Sequence, residues 1–422
     1  MKKTKKLLCT LLICMVAVMM FPAAAYGATK VTSQDGNWQI LADYNKNTCT
    51  VISYYGSDAN LVIPSKIDGL KVTELYFGYQ CGKPESNRWK NRSAIVTIKV
   101  PSTVTAIKWA SFANLPNLKS VDIPSSVKTF GESLFTACTS LETFTIPSQM
   151  TEIPKSFFAG CTSLSKVTIH NKVTSIGDSA FSGCSSLKTI KLPSKLKTLG
   201  SAFSTYYTDK CGLESISIPN SVTEMDSYIF ASCENLTSVK LSTGCKVIPM
   251  KAFYGCSSLK TITIPSSYTE ISFQAFEGCK NLTTVVCRSN LEIASLYTAI
   301  QPTSILTIYS PSSAAKVKTY CENKGIRWKS LNPPTWSSKK RTTTTAALKW
   351  KSVSGATGYK VYKKTGTGSY KLVKTTTSTS YKATGLKKGT TYRFYVTTLK
   401  KDALGNTIES KGSTVYKTYL KK

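Results

Sequence analysis

The single histidine, His170, is the first residue to test for chemistry, because imidazole is both a common general base and a common metal ligand. One histidine in 422 residues makes a zinc enzyme or a Ser-His-Asp hydrolase an unfavourable interpretation. No nucleophile and base share a recognisable spacing, and the Asp and Glu residues are scattered singly, which does not favour a glycosidase with paired carboxylates. We therefore predict no catalytic residue, no cofactor site and no metal site, and we interpret His170 as a turn residue.

Cysteine is the other residue type that could do chemistry, and the sequence has 14 of them. Six recur at one spacing, with Cys211 close to the series: Cys138, Cys161, Cys184, Cys233, Cys256 and Cys279. Equivalent side chains of stacked units point the same way, which is poor geometry for a disulfide or a metal site. We expect a ladder of buried free thiols here. One disulfide stays open among the cysteines off the ladder: Cys49, Cys81, Cys245, Cys287 and Cys321.

A longer repeat positions these cysteines. A slot that is proline in most units recurs at 101, 124, 147, 170, 193, 219, 242 and 265, in steps of 23 residues with a single step of 26. Eleven residues after most slots comes a phenylalanine, then a cysteine three residues later and a leucine three residues after that. Within 141–146, apolar residues alternate with Thr143 and Thr145, which predicts a strand with its threonines outward. A fixed period of this length predicts a solenoid of stacked coils.

The repeat follows the pattern I-P-x-x-V-T-x-I-x-x-x-A-F-x-x-C-x-x-L-x-x-V. In residues 170–190 the matching residues are Val173, Thr174, Ile176, Ala180, Phe181, Cys184, Leu187 and Ile190. This motif resembles the BspA-like, or Treponema-type, leucine-rich repeats of bacterial surface proteins. The resemblance implies a β-rich leucine-rich-repeat solenoid over 101–290, after an N-terminal β cap and irregular first repeat over 28–100. It also implies a C-terminal cap over 291–331 that contains a short helix.

Details within these caps support the assignment. Two apolar runs flank Asn45-Lys46-Asn47, which predicts a β-hairpin in the N-terminal cap. Pro64 lies in a segment that looks like an earlier, interrupted repeat. Between Ser312 and Lys324, Ala314, Val317 and Cys321 share one helical face, and Gly325 follows as a stop signal.

Residues 1–27 have the form of a secretory signal peptide. A basic start precedes a 15-residue apolar run, Leu7–Phe21, and small residues follow it. The run is short for a membrane span, and no later stretch of the sequence is long and apolar enough. We therefore expect a secreted protein without a membrane span after cleavage, associated with the cell surface.

Composition shifts at Asn332-Pro333-Pro334, and residues 332–422 contain short alternating runs separated by glycine turns. The segment from Leu386 to Tyr392 resembles the tyrosine corner of fibronectin type III modules, and Trp350 matches their buried tryptophan. The resemblance implies a fibronectin type III-like β-sandwich, in which the Tyr392 hydroxyl bonds back to upstream backbone.

Positive charge is concentrated in this last domain. The whole chain has a formal charge of +33, and residues 332–422 hold 20 Lys and Arg against Asp402 and Glu409, which gives +18. Such a surface predicts an anionic partner, with an anionic cell-wall polymer as a candidate; the alternative is a coat that only keeps the domain soluble. The candidate anionic tether comprises Lys363, Lys364, Lys387, Lys388, Arg393, Lys400 and Lys401.

The outward strand positions of the solenoid form a candidate binding face, called the hydroxyl row below. It comprises Asp122, Thr143, Thr145, Lys166, Thr168, Thr189, Lys191, Ser215, Ser217, Ser238, Lys240, Thr261 and Thr263. Its lysines, Lys166, Lys191 and Lys240, are the candidate charged contacts. Two irregular insertions add candidate aromatic and basic anchors: Tyr79, Trp89 and Arg92 in the first, and Tyr206 and Tyr207 in the second. The alternative is that these rings fill gaps between irregular coils.

We therefore predict a non-catalytic secreted or surface-associated bacterial binding protein, an adhesin whose repeat surface meets a protein or glycan. The partner would be a host matrix or bacterial surface protein or glycan, with no nucleic acid expected. The alternatives are an enzyme or enzyme accessory that acts on polysaccharide, and a purely structural cell-wall component.

Overall fold

The computed structural model describes residues 28–80, 91–205, 210–294, 299–300, 306–402 and 405–420. The architecture is a β-solenoid of about eleven turns with one short helix, followed by an antiparallel β-sandwich of the fibronectin type III kind, which confirms the predicted fold class. The chain divides into two compact units. The first comprises the residues up to Ile216 together with Glu224–Cys233, and the second comprises Ser217–Thr223 together with Glu234–Lys422. The predicted signal peptide lies outside the described residues.

The first unit begins with a β cap. Its strands are β1 (Thr29–Thr32), β2 (Trp38–Asp43), β3 (Thr48–Tyr54), β4 (Asn60–Val62), β5 (Lys66–Ile67) and β6 (Leu70–Leu75), and a 3-10 turn follows at Phe77–Gln80. Strands β2 and β3 form the antiparallel hairpin predicted around Asn45-Lys46-Asn47. Strand β3 then pairs in parallel with β6, so the hairpin leads directly into the parallel sheet of the solenoid.

Each coil of the solenoid contributes short strands that pair in parallel with those of neighbouring coils. In chain order they are β7 (Thr97–Lys99), β8 (Ala106–Ile107), β9 (Ser120–Asp122), β10 (Thr129–Phe130), β11 (Thr143–Thr145), β12 (Glu152–Ile153), β13 (Lys166–Thr168), β14 (Ser175–Ile176), β15 (Thr189–Ile190), β16 (Thr198–Leu199), β17 (Ser215–Ser217), β18 (Glu224–Met225), β19 (Ser238–Lys240), β20 (Val247–Ile248), β21 (Thr261–Ile264), β22 (Glu270–Ile271), β23 (Thr284–Cys287), β24 (Glu292–Ile293), β25 (Thr307–Ser310) and β26 (Arg327–Ser330). Strand β4, just before Pro64, pairs in parallel with β7, so the interrupted repeat is an earlier coil as predicted.

Phenylalanines at the repeat position stack along the interior of the solenoid. In the first unit the ring planes of Phe135, Phe158 and Phe181 lie within 20° of parallel, with centroids 5.6–5.7 Å apart. In the second unit Phe253 and Phe276 stack at 5.1 Å. Because these rings are fully buried, each coil covers the apolar surface that its neighbour could not bury alone.

The ladder cysteines link neighbouring coils through hydrogen bonds. The thiols of Cys138 and Cys161 donate to the carbonyls of Phe112 and Phe135, both at 3.1 Å, and Cys279 donates to the carbonyl of Phe253 at the same distance. Burial raises the pKa of the Cys279 thiol to about 12. The prediction of buried free thiols is confirmed at Cys138, Cys161, Cys184, Cys256 and Cys279.

The prediction is wrong at Cys233, which forms a disulfide with Cys211 at a Cα–Cα distance of 4.8 Å. The step of 26 residues is the physical reason. It displaces Cys211 from the repeat position that Cys233 occupies, so the two cysteines are not equivalent residues of neighbouring coils. Among the cysteines off the ladder, Cys49, Cys245, Cys287 and Cys321 are buried and free. Cys81 lies outside the described residues.

Left-handed residues recur at two positions of the coil, four residues apart. Examples are Ser133 and Ala137, with φ of 57° and 59°, and Ser156 and Gly160, with φ of 55° and 74°. The turned backbone lets the N–H of Ala137 donate to the carbonyl of Ala159 in the next coil at 2.7 Å. The unfavourable left-handed conformation is therefore offset by a hydrogen bond between coils.

The second unit ends in a helix and the sandwich. Helix α1 (Ala315–Asn323) buries Val317 and Cys321 as predicted. The sandwich strands are β27 (Trp336–Arg341), β28 (Ala346–Trp350), β29 (Gly358–Thr365), β30 (Lys371–Thr376), β31 (Ser380–Ala383), β32 (Thr391–Lys401), β33 (Thr407–Glu409) and β34 (Tyr416–Tyr419). One sheet is ordered β27-β28-β31, and the other is ordered β30-β29-β32-β33 with β34 also on β32. The Tyr392 hydroxyl accepts a hydrogen bond from the Lys387 N–H at 3.0 Å, which confirms the tyrosine corner.

Substitutions at the second left-handed position should change stability in opposite directions. We expect Gly160→Ala to lower the free energy of unfolding by about 1 kcal/mol, because L-residues resist this backbone region. The added Cβ would meet only an ordinary contact, 3.6 Å from the Ala137 Cα, so packing adds no further cost. The matched change Ala137→Gly should raise the midpoint of guanidinium unfolding. A shift of the same sign in both variants would contradict the backbone explanation.

The ladder thiols should be unreactive in the folded chain. A thiol with a pKa of about 12, as burial gives Cys279, is protonated at pH 8, and the thiolate is the reactive form. We expect iodoacetamide at pH 8 to leave Cys138, Cys161 and Cys279 unmodified, as measured by peptide mass spectrometry. Unfolding in guanidinium should expose them to alkylation, whereas Cys211 and Cys233 should stay linked without a reductant. Alkylation of the ladder in the folded chain would refute the prediction.

Candidate functional site

The hydroxyl row is exposed along most of its length. In the first unit, Thr143 and Thr145 lie opposite Lys166 and Thr168 in parallel register, and the side chains between them face the core. Row residues with exposed side chains in this unit are Asp122, Thr143, Thr145, Lys166, Thr168, Thr189 and Lys191, while Ser215 is half-buried. Neighbouring parallel strands lie about 4.8 Å apart, so the face repeats its hydroxyl and amino groups at that interval.

Within the second unit, the exposure of the row residues decreases along the chain. Ser217, Ser238 and Lys240 are exposed, and Thr261 and Thr263 are half-buried. The residues opposite them on β23, Thr284 and Val286, are 0% and 1% exposed. The exposed part of the row in this unit therefore ends at β21.

The row lysines extend into solvent. Among the described residues, no salt bridge involves Lys166, Lys191 or Lys240. Their charge is therefore available to an anionic or hydrogen-bonding partner at three places on the face. The face can bind by shape and repeated polar contacts.

The structure describes only part of the predicted anchors. Arg92 is exposed in a turn, and the backbone of Tyr79 lies in the 3-10 turn at Phe77–Gln80. The Tyr79 side chain, and Trp89, Tyr206 and Tyr207 as whole residues, lie outside the described part of the chain. These five residues remain predictions.

His170 has a structural role in the turn that it occupies. Its Nδ1 accepts a hydrogen bond from the Lys172 N–H at 3.2 Å, so the proton lies on Nε2, which donates to the Pro147 carbonyl at 2.8 Å. Nε2 thereby connects this coil to the preceding one, while Nδ1 bonds within the turn that contains His170. Across the described residues, no three His, Cys, Asp or Glu side chains are grouped as metal ligands would be.

The tether residues occupy different environments on the sandwich. Lys387 and Lys388 are exposed, whereas Lys363 and Lys364 are half-buried over the rings of Tyr392 and Tyr370. The other members also contact the chain: the Arg393 guanidinium donates to the Gly366 carbonyl, and Lys401 donates to the Thr407 hydroxyl.

Lys400 differs from the rest, because its ammonium donates to the Ser330 carbonyl of β26 at 3.1 Å. Burial lowers the pKa of Lys400, and the neighbouring charge of Lys329 lowers it further. Its amino group is therefore engaged at the junction between solenoid and sandwich.

Sequence reasoning missed a cluster of tyrosines on the outer face of the second sandwich sheet. Tyr362 stacks on Tyr395 with centroids 4.7 Å apart, and Tyr370 meets Tyr395 edge-on at 4.7 Å. Burial alone would raise the pKa of Glu409 beside them, but hydrogen bonds from Thr397, Lys360 and Tyr362 lower it. The signal in the sequence was the alternation of Tyr with core residues along β29 and β32.

Comparisons with known proteins agree with these features. Residues 85–208 and 201–324 match the family model described as BspA type leucine rich repeat region, with 6 copies. Residues 332–413 match the fibronectin type III domain model. No match was found among the curated proteins. Among the described residues, no helix has the length and apolar composition needed to cross a membrane.

Solved structures of bacterial leucine-rich proteins are also similar. A leucine rich cell surface protein from Faecalibacterium prausnitzii is 24% identical, with a TM-score of 0.32. The match spans 72% of this chain and 95% of the F. prausnitzii chain. The leucine-rich repeat protein of T. pallidum is 23% identical over 58% of this chain and 88% of its own, with a TM-score of 0.29. A Fn3-like protein from Clostridium thermocellum is 31% identical over 22% of this chain and 96% of its own, with a TM-score of 0.18.

The names of the repeat family and of the matched leucine-rich proteins include no catalytic activity. The repeat model covers more than half of the sequence. The chain therefore belongs to the BspA-type leucine-rich repeat family, with a fibronectin type III domain after the repeats.

Proposed function

We propose that this protein is a non-catalytic, secreted or surface-associated bacterial binding protein, an adhesin whose hydroxyl row meets a protein or glycan. The observation that carries the proposal is the exposed polar row itself, which repeats hydroxyl and amino groups from coil to coil. A partner of extended form, such as a polysaccharide or a matrix protein segment, can meet several of these groups at once.

The chemistry of the row favours many weak contacts over one deep pocket. Threonine and serine hydroxyls both donate and accept hydrogen bonds, which suits sugar hydroxyls and peptide groups equally. Each exposed contact adds little alone, because water competes for it. A repeating face compensates through the number of contacts, as solenoid surfaces commonly do.

The basic sandwich supports a second, less specific role in the same proposal. Its +18 charge attracts anionic polymers such as those of a cell wall, and Lys387 and Lys388 present part of that charge in the open. The attraction acts over about 8 Å at physiological salt, so it serves retention near a charged surface. The cell-surface description of the F. prausnitzii relative, together with the predicted signal peptide, supports location at the surface.

Charge reversal on the row should weaken specific binding. We test the double variant Lys166→Glu with Lys191→Glu in the chain from residue 28 onward. It should reduce affinity for a matrix protein or glycan by about tenfold, because two favourable charged contacts are reversed. This loss corresponds to about 1.4 kcal/mol. The measurement is surface plasmon resonance against producer cell walls and a panel of host matrix proteins. Lys172→Glu with Lys195→Glu is the matched control, because both residues are exposed in turns and carry the same charge. Equal weakening by the control, or no binding by the unmodified chain, would reject the row as the binding face.

Retention on anionic polymer should depend on the sandwich and on salt. We expect the chain to bind an immobilised teichoic acid at about 0.01 M salt and to elute before about 1 M, as the screening length falls from about 30 Å to about 3 Å. Lys387→Glu with Lys388→Glu should elute at lower salt than the control Lys172→Glu with Lys195→Glu, which has the same net charge. If the two variants elute together, lysines of the solenoid and of the sandwich contribute equally to retention, and the tether assignment fails.

A further inference from the structure

The outward face of the last coils departs from the pattern of the other coils. The outward positions of the hydroxyl row are threonine, serine, lysine or aspartate, but β23 has Val286 and β25 has Tyr309 at such positions. Val286 and Tyr309 are 1% and 2% exposed, although the strand face at Lys240 is open to solvent. Another part of the chain must therefore cover this end of the face.

The covering part is strand β33 of the sandwich. Ile408 is buried in one apolar cluster with Val286, Tyr309 and Leu331. The sandwich has its own core around Trp350, Phe394 and other residues, and Ile408 does not belong to it. An apolar side chain on an edge strand is buried here only because the solenoid lies against it.

Polar contacts surround this apolar cluster. The Thr284 hydroxyl donates to the Asp402 carboxylate at 3.1 Å, and both residues are buried. The other oxygen of Asp402 accepts the Asn406 N–H at 2.8 Å, so the carboxylate is held in position. Burying a carboxylate is costly unless its hydrogen bonds are made. Here Asn406 makes them from within the sandwich, and Thr284 makes one across the junction.

The connecting segment is fixed as well. Strand β26 ends at Ser330, and β27 begins at Trp336. Between them Leu331 is buried in the cluster, and its N–H donates to the Ser310 carbonyl at 2.8 Å. The Asn332 side chain accepts the Ser312 N–H, also at 2.8 Å. A connection this short and this well bonded favours docking of the sandwich within its own chain.

We propose that the outward face of β23 and β25 is a docking surface for the chain's own fibronectin module, which closes one end of the hydroxyl row. The module and the last coils then move as one rigid body. The row available to a partner in the second unit ends at Thr261 and Thr263, beside the module. The docked module limits the length of the binding face at this end. This role is additional to that of a spacer or tether.

Variants on the two sides of the contact test the proposal in the full chain. Val286→Thr gives the solenoid the residue type of its other outward positions, and Ile408→Thr removes the apolar contact while keeping a β-branched residue. Leu372→Thr is the matched control, because Leu372 is a half-exposed strand residue of the module outside the cluster. The first readout is the rate of chymotrypsin cleavage after Leu331, the buried residue of the connecting segment, which tracks the population of the opened junction. The second is the radius of gyration from small-angle X-ray scattering.

We expect each contact variant to be cleaved about tenfold faster than the unmodified chain or the control, which corresponds to about 1.4 kcal/mol of lost contact. The radius of gyration of the double variant Val286→Thr with Ile408→Thr should increase, with an unchanged far-ultraviolet circular dichroism spectrum showing intact folding. Equal cleavage of the contact variants and the control would overturn the proposal. An unmodified chain that scatters as two independently moving bodies, or that forms a dimer by exchanging modules, would also overturn it. Binding by the hydroxyl row is measured separately, so neither result depends on the other.

Discussion

In-register stacking of the coils is the constraint on which the rest of the structure depends. A coil of about 23 residues has too little chain to enclose its own apolar side chains, so each coil is stable only against its neighbours. Parallel pairing at about 4.8 Å places phenylalanine on phenylalanine and thiol beside carbonyl. A slip of one residue would turn the apolar side chains outward, so the inward positions are strictly specified. The outward positions are free of that demand and can be used for recognition.

The repeated features could be predicted from the sequence because the same residue types recur at the same positions of successive coils. The strand alternation at Thr143 and Thr145, the buried thiols and the hairpin near Asn45 all follow from local pattern and period. The disulfide between Cys211 and Cys233 could not be predicted in this way. Its prediction needs the lateral displacement caused by the step of 26 residues, and that displacement depends on how the longer coil packs rather than on its count of residues.

The junction between solenoid and sandwich was hidden for a different physical reason. Outward residues vary from coil to coil, because most of them have no packing role. Val286 and Tyr309 therefore did not stand out in the sequence as packed residues. Their partner, Ile408, lies far along the chain and on an edge strand. The available signal was that apolar residues replaced polar ones at outward positions of neighbouring strands, a patch that monomeric proteins seldom leave exposed. Non-local contacts of this kind have no period to reveal them.

Docking also changes how charge and recognition combine. A module on a flexible linker would spread its +18 charge over many orientations, and its attraction would be independent of the row. A docked module holds its lysines in a fixed direction at one end of the row. Because screening limits their influence to about 8 Å at physiological salt, only lysines near the junction can act on a partner that lies along the row. Lys400, which the junction itself engages, is withdrawn from that set. The docked module therefore makes the two ends of the face different, because the exposed polar groups end beside the basic module at only one of them.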